Sequence, residues 1–367
     1  MFNKITTLIS LTLFLSNAHA DELNTNFKKP TFDFAISGFS IKEDALLARG
    51  SSSIFYGHFG YKIDENLNFK IDPVASFISG QQTSRDPQIP LTNSIYLEEA
   101  TIEYQATRSL LVSAGSIYQK DFLPGLAGYT KSFPGIGLKS NLEIKENHQI
   151  NFLAQIAVPT SSGLATTTND LESNTSLFSS TLILKNKWND HLKTKFSYSH
   201  FIFNGLSSAT SADSFPKGNT LIKLNSSSYI YAYKYSGDEI MTKMDFDLNS
   251  KMGISLESSL IKNQLAPSDT NTGFITFIGI PVNIADSIKL TPMFYHYRVE
   301  SDAMVATFLD TNFGRTNRIG NRIGFEIEKN NYHILCLYSE SKLIETNPFQ
   351  SPDRSILLKI FQKNIAF

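Results

Sequence analysis

Taken two residues at a time, most of this sequence sorts onto opposite faces. In SLFSSTLILKNKW, Phe178, Ser180, Leu182 and Leu184 share one parity, and Ser179, Thr181, Lys185 and Lys187 share the other. HLKTKFSYSHFI sets Leu192, Phe196, Tyr198 and Ile202 against Lys193, Lys195, Ser197 and Ser199. The same alternation runs through YIYAYKY (Tyr229, Tyr231, Tyr233 and Tyr235 against Lys234) and IMTKMDFDLN (Met244, Phe246 and Leu248 against Lys243, Asp245, Asp247 and Asn249). It returns in RIGNRIGFEIEK, where Ile319, Ile323, Phe325 and Ile327 oppose Arg322, Glu326 and Glu328. Successive side chains of a strand point to opposite sides, so this period marks half-buried strands, and no comparable helical period follows the first 20 residues.

The connections alternate as well. Short polar turns (IDENLN, QATRS, KENHQ, KNKWNDH, NSKM, EKNN) take turns with long segments near 42–52, 78–93, 119–134, 159–176, 204–239, 263–272, 299–317 and 343–353. Segregating connections by length is what an up-and-down barrel across an asymmetric membrane requires. The spacing predicts an all-β, single-domain, transmembrane antiparallel barrel of about 16 strands, or 18 if 218–225 and 229–235 add a hairpin. Both counts put the two termini on the short-turn side.

Pattern alone does not separate a soluble sandwich, apolar inside, from a membrane barrel, apolar outside. The backbone argument is strict: in lipid every N–H and C=O must be paired, so a spanning sheet must close. Composition is that of a soluble chain, with mean hydropathy −0.14. The aromatics point elsewhere, with 28 Phe and 15 Tyr against 1 Trp. Tyr56, Phe59, Tyr61, Tyr96, Tyr104, Tyr118, Tyr295 and Tyr297 gather near strand ends, as an interfacial girdle would. A net charge of −1 without a basic cluster excludes a nucleic-acid binder.

The two ends agree with export. Lys4, the apolar-leaning Ile5–Leu15 stretch and Ala18-His19-Ala20 form a secretory signal peptide over 1–20, leaving 21–367 as the barrel. Cys336 is the single cysteine, so no internal disulfide forms. The final segment, from about Arg354, ends on Phe367. There the apolar residues Ile356, Leu358 and Ile360 hold one parity and Phe361, Ile365 and Phe367 the other. A bulge or a late start of the lipid-facing part reconciles them.

YLEEATIEYQATRSLLVSAGSIYQKDFLPGLAGYTKSFPGIG (Tyr96–Gly137) resembles the central region of Gram-negative outer-membrane porins: Leu97-Glu98-Glu99-Ala100 leads to a turn, and Val112-Ser113-Ala114-Gly115 closes the next strand. The resemblance implies a β-barrel channel in the cell outer membrane, with a third long loop folded into the lumen. It also implies a C-terminal Phe367 read by the barrel-assembly machinery. Here that loop is 119–134, with Pro124, Gly125, Gly128, Pro134 and Gly135 suited to a fold-back and Asp121 as its acid.

The expected function is passive diffusion of small hydrophilic solutes, with outer-membrane lipid around the barrel. A homotrimer, latched by 78–93, is compatible with it. Expected constriction residues are Asp121, Lys131, Arg318, Arg322, Glu99, Glu103 and Lys234, with Arg318 and Arg322 as basic partners of the loop. Inward parity also collects lysines and acids of both signs, which predicts weak ion selectivity. The alternatives are a substrate-specific or hydrophobic-solute channel, or less favourably a barrel enzyme. Only about ten residues, Asp21–Pro30, precede the first strand, too few for the plug of a hydrophobic-solute transporter. No G-x-S-x-G or Ser–His–acid order is visible, His58, His148, His191, His200, His296 and His333 show no metal-ligand spacing, and nothing calls for a cofactor.

Overall fold

A computed structural model describes residues 27–43, 47–83, 93–128, 130–160, 175–224, 229–309, 315–348 and 350–366. The expected signal peptide, residues 84–92 and Phe367 lie outside them. In chain order the strands are β1 (Phe27–Glu43), β2 (Leu47–Lys62), β3 (Leu67–Thr83), β4 (Ser94–Thr107), β5 (Leu110–Tyr118), β6 (Ser132–Lys145), β7 (His148–Ala157), β8 (Ser176–Lys187) and β9 (Leu192–Asn204). A helix, α1 (Ser208–Ser214), and the short pair β10 (Leu221–Lys223) and β11 (Tyr229–Tyr231) follow. The chain then runs through β12 (Tyr235–Asp247), β13 (Gly253–Asn263), β14 (Thr272–Gly279), β15 (Val282–Ala285), β16 (Ile288–Val299), β17 (Arg318–Lys329), β18 (Tyr332–Leu343) and β19 (Asp353–Ala366).

Every neighbour is antiparallel, and the sheet closes on itself: β1 pairs with both β2 and β19, and β9 with both β8 and β12. β14 and β15 both pair with β16 and form one wall strand interrupted at Ile280-Pro281, where proline has no N–H for the ladder. The barrel therefore has 16 strands. The alternative count of 18 is corrected, because β10 and β11 pair only with each other. YIYAYKY is thus no wall strand of its own, and only its last residue, Tyr235, enters the wall, at the start of β12. Its tyrosines pack locally instead, Tyr229 stacked on Phe215 at 4.5 Å and Tyr231 edge-on to Tyr235 at 5.2 Å.

A second correction falls at 42–52. β1 and β2 run almost to their junction, with Lys42 opposite Leu47. Gly50 and Ser51–Ser53 there are turn formers by composition, yet a paired neighbour on each side keeps them extended. The strand ends that lead into the other long connections share one end of the barrel, and the short turns join strands at the opposite end.

The outer face is apolar. Ile102, Ile136, Ile156, Leu260 and Ile323 are each about half exposed or more, on strand after strand. Soluble monomers do not carry a belt of this extent, whereas a lipid-facing barrel must. In the final strand Ile356, Leu358 and Ile360 join this belt, and Phe361 stacks on His333 at 4.5 Å. Pairing with β1 then jumps from Gln362 opposite Phe34 to Ile365 opposite Phe32, a bulge that returns Ile365 to the parity of Phe34 and Ile36. The expected girdle is corrected in part: Tyr297 is buried inside, Tyr295 lines an interior cavity, and Tyr56 stands opposite the inward Asp33. Parity, rather than nearness to a strand end, sets which way a tyrosine faces.

Candidate functional site

The connection from β5 to β6 begins as a 3-10 turn, Gln119–Asp121, and lies against the inner wall. Gln119 is buried and exchanges side-chain hydrogen bonds with Gln155 of β7, whose amide also donates to Ser179 of β8 at 3.0 Å. Thr181 Oγ1 of β8 donates to the Phe122 carbonyl at 2.6 Å. Further along, the backbone N–H groups of Leu126 and Ala127 donate to the two carboxylate oxygens of Glu239 on β12, which also accepts from Ser259 of β13. Buried peptide donors need partners, and one inward carboxylate provides two acceptors in the fork geometry these N–H groups present.

The fit around Glu239 explains Gly125. A Cβ there would overlap the Glu239 carboxylate, so the chain passes over it only with glycine. Gly125→Ala is expected to lower stability by about 1–3 kcal/mol, as overpacking does. An unchanged thermal midpoint by circular dichroism would show that the loop is not seated on Glu239.

A second connection packs against the first. Ala303, Met304, Val305, Phe308 and Leu309, between β16 and β17, form one dry cluster with Leu123, Leu126 and Ala127 and with inward residues of the wall, including Phe133, Leu177, Phe201, Phe203, Ile261 and Val299. Phe308 stacks on Phe203 at 5.7 Å and meets Phe133 edge-on at 5.1 Å. Asp302 and Asn219 clamp this segment. Asp302 accepts from the Thr220 N–H and hydroxyl and from the Tyr235 hydroxyl at 3.0 Å. Asn219 donates to the Ser301 and Met304 carbonyls and accepts from the Ala306 N–H. Burial pushes the Asp302 carboxyl above its ordinary range, against the opposing pull of the donors from Thr220, Tyr235 and Ser301.

The predicted residues scatter. Asp121 pairs with Lys139 of β6 at 2.8 Å, and the Lys139 ammonium also sits 5.0 Å from the Phe122 ring centre. It does not pair with Arg318 or Arg322. Arg318 is almost wholly buried, bound to Asp353 at 3.1 Å, the Ser341 hydroxyl and the Ser351 carbonyl. Arg322 is bonded to Ser339 and lies 6.0 Å from the Tyr295 ring centre. It lines a 310 Å³ cavity with Lys120, Pro124, Gly125, Glu257, Glu326 and other wall residues. Lys131 is exposed, its carbonyl accepting from Gln119 N–H. Lys234 lies before β12 and supplies a carbonyl to Asn263. Glu99 is buried on β4 in an ion pair with Lys70, and Glu103 of β4 stands opposite Asn68 and Ser113.

On the β1–β4 wall the acids draw together: His58 lies 3.7 Å from Asp33 and 3.4 Å from Asp72, and Lys70 bridges Asp72 and Glu99. Among the described residues no group of three or more metal-ligating side chains stands at a metal geometry. Glu239 and 300–309 escaped the sequence reading. The first looks like any other inward charge until its partner more than a hundred residues away is known. The second did leave a signal, the apolar run AMVATFL inside an otherwise polar connection.

A closed barrel with an apolar outer belt, a polar and charged inner wall and a connection folded against that wall has the architecture of an outer-membrane porin. Solved structures agree. Over 95% of this chain and 96% of that one, the high-pH structure of OprB from Pseudomonas putida superposes with a TM-score of 0.60 at 11% identity. OmpF of Salmonella typhi, in complex with daunomycin, matches with a TM-score of 0.51 at 9% identity over 91% and 97% of the two chains. The outer membrane channel DcaP of Acinetobacter baumannii gives 0.51 at 10% identity over 92% and 96%. No protein-family model matches the sequence, and no curated protein is significantly similar to it. The chain has the porin fold, with no subfamily singled out.

Proposed function

We propose that the protein is a passive diffusion channel of the outer membrane for small hydrophilic solutes, and not an enzyme. The observation that carries this reading is the seating of 119–131 on Glu239 and Thr181, inside a charged wall. An open tube of this many strands is too wide to sieve small solutes, so an inserted segment is what makes it selective. In this reading the constriction is formed by 119–131 and 300–309 together. Export with cleavage near Ala20, insertion guided by Phe367 and assembly as a homotrimer belong to the same proposal. The dry cluster over part of the lumen favours a second reading, a substrate-specific channel.

Single-channel recording in planar bilayers tests the proposal. Stepwise conductance in KCl is expected; tight binding of one solute with no conductance would reverse the order of the two readings. Arg322→Glu is expected to move the reversal potential in a KCl gradient toward cations, because it inverts the sign of a charge lining the cavity beside Lys120, Glu257 and Glu326. An unmoved potential in an assembled barrel would take Arg322 off the solute path.

A further inference from the structure

Below the seat of the loop the inner wall changes character. On neighbouring strands Thr181, Ser199, Glu239 and Ile261 stand in register and carry the loop. Two inward positions further toward the short turns, roughly 13 Å along the strands, Lys185 of β8 stands opposite Lys195 of β9, and Lys195 opposite Lys243 of β12. Three lysines thus stand abreast on adjacent strands, which run about 4.8 Å apart. Gln149 continues the row on β7, its amide donating to Glu143, and Glu257 ends it on β13.

Like charges placed directly opposite across a sheet oppose folding, so the row needs a reason outside the fold. The next row differs in which lysines have a carboxylate close by. There Lys187 faces Lys193, and Lys193 faces Asp245. Lys187 is ion-paired to Asp190 at 2.6 Å, and Asp245 accepts from Ser255. Both rows therefore include acids, Asp190 and Asp245 in this one and Glu257, opposite Lys243, in the upper one. In the upper row Lys243 has Asp245 at 3.8 Å, but among the described residues Lys185 and Lys195 have no carboxylate within 4.0 Å. The acids of the β1–β4 wall are engaged with His58 and Lys70.

We propose that the row Lys185–Lys195–Lys243 is a binding site for compact oxyanions carrying two or more negative charges, either di- and tricarboxylates or phosphorylated solutes. Three mobile ammonium groups on one wall match several anionic oxygens at once, and a monovalent anion engages only part of the row. The site deepens the diffusion-channel reading and rests on it for its role, since a solute that clears 119–131 meets this row next. The expected selectivity is therefore anionic for multivalent solutes, in place of the weak selectivity that mixed signs imply.

The test titrates citrate, inorganic phosphate and acetate into the detergent-solubilised full chain by calorimetry at low ionic strength, which keeps screening small. Saturable heat is expected for citrate and phosphate, with acetate weaker by at least about tenfold. Tighter citrate assigns carboxylates and tighter phosphate assigns phosphorylated solutes. Lys185→Gln with Lys195→Gln should weaken binding by about tenfold or more, while Lys187→Gln with Lys193→Gln should change it less than about threefold. No saturable heat, equal acetate binding or equal loss in the two double variants would overturn the site. The titration needs no transport. A protein that binds citrate yet gives no conductance in KCl sinks the diffusion-channel reading in favour of the substrate-specific one and leaves this site standing, and one that conducts KCl yet binds no oxyanion sinks this site alone.

Discussion

Deleting Leu123–Gly128 should raise single-channel conductance several-fold. These residues carry the N–H donors that Glu239 holds, and Leu123, Leu126 and Ala127 are buried in the cluster inside the barrel. Their removal takes out part of the lumen filling without touching a wall strand, since the wall is held by its own closed ladder. Glu239→Leu is the companion variant. It strips the carboxylate and leaves two buried N–H groups without their acceptor, and hydrogen bonds to a charged group are worth roughly 1.5–3 kcal/mol each. The loop should detach and conductance rise toward that of the deletion. Both variants assembled, with conductance unchanged, would mean that solutes pass elsewhere or that 300–309 alone sets the size limit.

The largest loss of stability is expected at Arg318. Its guanidinium is buried among Asp353, Ser341 and Ser351 at the junction of β17 with the long connections, and Asn317 beside it takes a left-handed backbone with φ 59°. Breaking a buried ion pair by removing one partner leaves the other charge uncompensated, which costs about 3–5 kcal/mol. Arg318→Leu should therefore unfold at a markedly lower temperature, read as the point where the folded, fast-migrating band is lost in heated electrophoresis samples. Arg318→Lys should recover only part, because one ammonium does not reproduce the forked donor set. Wherever either variant does assemble, its reversal potential should match that of the parent. A changed ion preference would restore Arg318 to the solute path.

Strand number, closure and the division of residues between lipid and lumen were legible because each follows from a period of two and from connection length, both local properties of the chain. Even the awkward parity of Ile356–Phe361 against Ile365 was visible as a conflict that a bulge would resolve, and the shift of pairing between Phe32 and Phe34 is that bulge. The seven predicted constriction residues fared differently. Parity placed charges on the inner wall, yet it carries no information about depth or about which strands become neighbours across the barrel. Arg318 and Arg322 share a strand and a parity; one is locked to Asp353 and the other borders the cavity beside the loop.

What the sequence determined by itself is a closed sheet, apolar outside: alternation alone fits a sandwich equally well, but connections sorted by length point to a membrane, where unpaired backbone is not tolerated and the sheet must close. Tertiary structure alone decided what fills that sheet. The union of Leu126 with Glu239, of Phe308 with Phe203 and of Asp302 with Thr220 joins segments far apart in the chain, and such contacts depend on how the closed wall brings distant connections over the same space. The lysine row belongs to both. Each lysine's inward direction is written in its own strand, but that Lys185, Lys195 and Lys243 stand abreast is set by the register of β8, β9 and β12, which the folded sheet imposes.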